Sequence, residues 1–166
     1  MNARDVIEEA VGRTDLALRG RFKKNDHFIH FESGRSLTIE NTVTRLSTST
    51  VFTPFPLVAM FTEGSTYKTD ECFHYFNIQK IAIAVRDLRD ATEAVRIREV
   101  FEKILYPIRD ELVKQLERVN FGYKMEYECI DFTGYTDKSG AVSLNQVCDA
   151  VILRNVKLKI KRKCDD

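Results

Sequence analysis

The spacing of apolar residues changes from one segment of this chain to the next, and that spacing predicts most of its elements. Residues 91–119 place Ile97, Val100, Phe101, Ile104, Leu105, Ile108, Leu112, Leu116 and Val119 at helical intervals, which predicts one long amphipathic helix. Asp90 and Glu93 supply a capping box at its start, and Gly122 ends it. Pro107 removes one hydrogen bond and crowds the carbonyl of Lys103. A kink is expected there rather than a break, because the apolar stripe continues in phase. Glu99 with Lys103, and Asp110 with Lys114, stand four residues apart on its solvent side.

Other segments have different rhythms. Asn2 caps a first, short helix running to about Arg13, with Val6, Ile7, Ala10 and Val11 as its one apolar stripe, and Gly12 and Gly20 argue against a longer one. Residues 27–31 read as a strand, Ser33 and Gly34 as a turn, and residues 37–46 as a returning strand. The Ser/Thr-rich stretch over about 42–53 is polar on both faces and reads as an exposed arm, closed by Pro54 and Pro56. Leu57, Val58, Ala59, Met60 and Phe61 form a continuous apolar run, the mark of a strand covered on both faces. A polar loop over 62–71 follows. In the strand over 76–86, Phe76 and Ile78 share one parity and Ile81, Ile83 and Val85 the other, which predicts a β-bulge near Gln79 and Lys80. Residues 123–132 and 150–163 form a terminal pair of strands around a turn at 134–140. The expected architecture is a single α+β domain, a small mixed or antiparallel sheet with the amino-terminal helix and the long helix packed on one face.

Composition narrows the function less than the pattern narrows the fold. The chain has 166 residues and a net charge of +1, which makes no whole-protein case for nucleic-acid binding. No run of about 18 apolar residues predicts a membrane span, and the acidic start (Asp5, Glu8, Glu9) does not suit a signal or transit peptide. Cys72, Cys129, Cys148 and Cys164 form no CxxC pair and read as free thiols in a reducing cytoplasm.

Candidate chemistry is sparse. His27, His30, Cys72 and His74 are the right ligand types for a metal, but His27 and His30 point to opposite faces of a strand, so no metal is expected. No nucleophile elbow or glycine-rich phosphate loop occurs. Asp70, Glu71, Cys72 and His74 form the one local cluster an enzyme would use, and the expectation is a non-enzymatic chain without cofactors. The carboxy-terminal strand stands out: Lys157, Lys159 and Lys161 alternate beside Arg154, Arg162 and Lys163. These lysines either keep a sheet edge from stray pairing or offer a basic strip to an acidic partner or DNA. Along the strand no aromatic residue interleaves with them, so stacking of bases is not indicated. Ser49 and Thr50 in the arm, and Tyr67 and Lys68 in the 62–71 loop, complete the candidate contact residues.

The run Pro56 to Phe61, the strand ending Ile81-Ala82-Ile83-Ala84-Val85, and the helix signature from Arg96 through Phe101, Ile104, Leu105, Pro107 and Ile108 to Leu112 and Leu116 resemble neck and tail-completion proteins of tailed bacteriophages, of the tail-terminator kind found in phages and prophages of gut Bacteroidetes. The resemblance covers roughly residues 54–120. It implies a virion structural protein, assembled in the bacterial host cytoplasm, that forms a ring at the head-to-tail junction, often a hexamer. Connector and tail-tube proteins would be its neighbours, with DNA passing through the channel. The alternative is a small nucleic-acid- or protein-binding module that uses the basic carboxy-terminal strand.

Overall fold

The computed structural model describes residues 2–19, 21, 29–47, 55–86, 91–122, 124–135 and 148–162. The class is α+β. Among the described residues six strands form one mixed sheet: β1 (His30–Gly34), β2 (Leu57–Phe61), β3 (Thr66–Thr69), β4 (Phe73–Arg86), β5 (Glu126–Tyr135) and β6 (Cys148–Lys161). Their order is β1-β2-β4-β6-β5, with β3 pairing with β4 beyond the end of β2. β1 runs parallel to β2, and every other pairing is antiparallel. None of the helices is long and apolar enough to cross a membrane.

Helix α1 (Ala3–Leu18) is capped by Asn2, whose Oδ1 accepts the Asp5 N–H at 2.9 Å. It passes straight through Gly12 to Leu18, further than the glycine suggested, because Thr14, Asp15 and Leu18 extend its buried stripe. Asp15 is buried for a reason: its carboxylate accepts the Ile29 N–H at 2.9 Å and so fixes the chain where β1 begins. The long helix is continuous but changes its winding: α3 (Glu93–Arg96), a π-helical stretch (Ile97–Leu105), then α4 (Tyr106–Val119). Pro107 falls just after the wide turns, so the lost donor is absorbed by the change from π to α winding. The cap is Thr92, which accepts the Val95 N–H, rather than Asp90, which lies outside the described residues. Glu99 pairs with Lys103 as expected, but Asp110 takes Arg109 and Lys114 takes Glu111 instead.

The sheet is covered on two faces, not one. Val6, Ile7, Ala10 and Val11 of α1 and Ile108, Leu112 and Leu116 of α4 pack with Val58, Ile81, Ile83, Val151 and Leu153. On the opposite face Ile39 and Val43 cover Leu57, Ala59, Ala82, Ala84 and Ile152. Ile39 and Val43 belong to a helix, α2 (Ser36–Ser47), where a strand over 37–46 and the start of an arm were expected. Their spacing of four serves a helix as well as a strand, and Glu63 tips the balance by accepting the unpaired Ser36 N–H at its start (2.5 Å). Burial opposes ionisation of Glu63, yet these Ser36 hydrogen bonds hold its carboxyl below the usual value. The rest of the arm, 48–53, lies outside the described residues. β1 includes Ser33 and Gly34, and β5 includes Gly134, so neither predicted turn begins there. The 62–71 segment is not a plain loop either: it holds β3, paired to β4 from Thr66↔Asn77 to Thr69↔His74.

The change of parity predicted near Gln79 is present, and it occurs in two strands at once. Phe76 and Ile78 share the α1/α4 face with Ile81 and Ile83, and Leu158 and Val156 share it with Leu153 and Val151. The β4–β6 register skips Gln79 and Asn155 but is otherwise unbroken, because both strands switch face at the same level. Asn155 makes this possible with a φ of 51°, a conformation that asparagine tolerates better than most residues. Replacement by glycine is therefore expected to be close to neutral. Asn155→Val should lower unfolding stability by about 1–2 kcal/mol in a urea titration, and equal stability of the two variants would contradict this role.

Candidate functional site

Below the switch at Asn155, α2 no longer covers its face of the sheet, and that face is where lysines and aromatic rings meet. Antiparallel pairing sets Lys157 beside Asn77, Lys159 beside Tyr75 and Lys161 beside Phe73. β3 adds Lys68 beside Tyr75 and Thr66 beside Asn77. Directly paired residues share a face, so Lys68, Lys157, Lys159 and Lys161 stand together with Phe73 and Tyr75. Lys157 does not guard an edge, since β6 is flanked there by both β4 and β5, whereas Lys159 and Lys161 lie beyond the start of β5.

β5 starts opposite Lys157, and the turn after α4 fills the rest of that flank. Phe121 N–H donates to the Lys159 carbonyl at 2.6 Å, and Asn120 Oδ1 accepts the Lys159 N–H at 2.9 Å. This brings the Phe121 ring to 4.8 Å from that of Phe73. The Lys159 ammonium lies over the cluster, 4.1 Å from the Phe73 centroid, 5.2 Å from Phe121 and 5.6 Å from Tyr75. Such cation–π contacts hold a cation beside rings without neutralising it. Phe121 is still 53% exposed. An open groove of about 370 Å³ runs over this surface, from Thr66 and Lys68 to Lys124 and Glu126. A second open hollow of about 730 Å³, which also reaches Phe121, is bordered by Lys114, Glu117, Arg118 and Lys124.

Electrostatically the groove is basic, with Glu126 and, beside Tyr75 and Lys159, Asp70 as local counter-charges. Lys157 Nζ lies 2.5 Å from Glu126 Oε2, which holds the Glu126 carboxyl below its usual value. Lys68, Lys124 and Lys161 make no ion pair with any described residue. Asn77 Oδ1 is buried and accepts no hydrogen bond among the described residues.

The other candidate residues are distributed differently. Tyr67 lies on the opposite face, stacked on Phe76 with centroids 5.1 Å apart and its hydroxyl 2.7 Å from His74 Nδ1. Arg162 donates to the Asp70 carbonyl at 2.8 Å. Ser49, Thr50 and Lys163, like His27, lie outside the described residues. The cluster Asp70, Glu71, Cys72 and His74 does not converge. Asp70 is a turn residue that accepts the N–H groups of Cys72 and Phe73 and the Tyr75 hydroxyl, while His74 faces Tyr67. His30 sits 2.8 Å from Glu32 on β1. Among the described residues no three His, Cys, Asp or Glu side chains gather as a metal site, and Cys72, Cys129 and Cys148 are free thiols. Burial pushes the Cys129 thiol up, away from a reactive thiolate.

Sequence reasoning found the lysines and missed the rings. Phe73 and Tyr75 precede the predicted strand start, and Phe121 follows the helix, so none interleaves with the lysines along the chain. Their odd parity, in step with Asn77, was the available signal.

The turn that presents Phe73 has a pH signature. Hydrogen bonds from the N–H groups of Cys72 and Phe73, then from Tyr75, hold the Asp70 carboxyl below its ordinary value of 3.8. A depressed pKa means that the ionised carboxylate supports the turn fully above that value and ceases to do so as the pH falls below it. The Cys72 and Phe73 amide resonances should therefore shift together on acidification, with a midpoint below 3.8. A midpoint above it would overturn the assignment. The comparisons with known proteins assign no family, since no protein-family model matches the chain and no curated sequence matches it.

Proposed function

We propose that this chain is a non-enzymatic structural subunit that assembles by shape into a ring, in the role of the tailed-phage neck and tail-completion proteins that residues 54–120 resemble. The observation that carries the reading is the pair of unlike edges on one sheet. Among the described residues β1 pairs only with β2, and β5 only with β6, so the sheet ends in two strands each with one unused flank. Pairing of β5 in one copy with β1 in the next is a heterologous contact, and repetition of such a contact closes a ring when the rotation allows.

Strand edges alone are small, and a stable interface buries roughly 1,200–2,000 Å² in total. Apolar side chains at both ends support a larger contact. Tyr127 on β5 is 38% exposed, and Leu37, on the helix that follows β1, is 55% exposed. Behind the edges, α1 and α4 pack on one face and α2 on the other, making the subunit a stiff wedge. In this role the partners are further copies of the chain, then the connector and tail-tube proteins above and below, within the virion.

Mass measured by light scattering over a concentration series should rise to a fixed multiple of the monomer. Ser33→Cys on β1 should then form a disulfide with Cys129 on β5 of the next copy, in a Cys72→Ser, Cys164→Ser background. Mild oxidation would give a ladder of linked chains on a non-reducing gel. A constant monomeric mass together with no ladder would overturn the reading.

A further inference from the structure

Beyond assembly, we infer that the lysine–aromatic face of β3, β4 and β6 is a binding platform for single-stranded nucleic acid. Two requirements meet there. A polyanionic chain needs cations at intervals along a groove, and Lys68, Lys157 and Lys124 stand along this one with Lys114 and Arg118 past its end. The bases need a ring with a free surface. Phe121 has one: it is 53% exposed, although Phe73 and the Lys159 ammonium already lie against it. Basic grooves that pair backbone contacts with aromatic stacking bind single strands with little regard to sequence.

The remaining polar groups fit the same occupant. Asn77 lines the groove, and its buried Oδ1 accepts no hydrogen bond from any described residue. Glu126 holds Lys157 in the resting protein, so a phosphate reaching Lys157 must displace a carboxylate. A duplex, with its bases stacked inside, would use the lysines and leave Phe121 without a role. An acidic peptide would likewise need only the charges.

The inference does not depend on ring formation, because binding is read on the chain whatever its mass. Fluorescence anisotropy of a labelled oligothymidine of about 15 nucleotides tests it, alongside a duplex of equal length and a polyglutamate peptide. The single strand should bind most tightly, and its affinity should fall as salt rises. Phe121→Ala should weaken it by roughly 5- to 100-fold while leaving duplex binding unchanged. Lys124→Ala should flatten the salt dependence by about 0.7 in log–log slope. Glu126→Gln should strengthen binding, an effect that damage to the fold would not produce. Circular dichroism melting of each variant separates lost contacts from lost structure. Absence of oligothymidine binding, equal binding of duplex or polyglutamate, or a folded Phe121→Ala variant with unchanged affinity would each overturn the inference.

Discussion

The pairing of β4 with β6 is the constraint on which the rest of this structure depends. It runs in one antiparallel register from Phe73↔Lys161 to Arg86↔Cys148, and it carries the core of both faces. At one end the two strands are buried between α1/α4 and α2. At the other they leave a face to solvent, so one strand pair has a fully covered half and a half-open half. The double switch at Gln79 and Asn155 keeps both strands apolar toward α1 and α4 throughout. A switch in one strand alone would have turned half of its apolar side chains out of the core.

The long helix acts through the same pair. Its α4 segment stacks on α1 and lies along the sheet, and its first turn is tied in by Arg96, whose guanidinium reaches the fully buried Asp149 on β6 at 3.2 Å. At its other end Asn120 and Phe121 continue the sheet where β5 stops. The helix therefore positions both the core and the aromatic centre of the exposed face.

Long elements with one period were legible in the sequence. The stripe of the long helix from Val100 to Leu116, the two-sided run Leu57 to Phe61 and the parity change near Gln79 each follow from local side-chain geometry and are present. Ile97, the expected start of the stripe, is instead exposed, and residues 97–105 wind as a π-helix. Features that depend on contacts between distant segments were not legible. Residues 37–46 carry a pattern open to both helix and strand, and the group that favours the helix, Glu63, lies far along the chain. β3 is polar on both faces and exists because β4 offers it a partner. The candidate site divides the same way: Lys157, Lys159 and Lys161 announce themselves by alternation, whereas Phe73, Tyr75 and Phe121 join them only through register and a turn. Their juxtaposition is a property of the sheet rather than of any segment.

We propose that this chain acts by presenting surfaces, with the two outer strands of its sheet meeting those of neighbouring copies. Hydrogen–deuterium exchange at rising protein concentration tests that claim most directly. Amides of β1 and β5 should gain protection together while those of β4 and β6 stay as slow as before. Unchanged exchange at both outer strands, at concentrations where the chain is assembled, would contradict it.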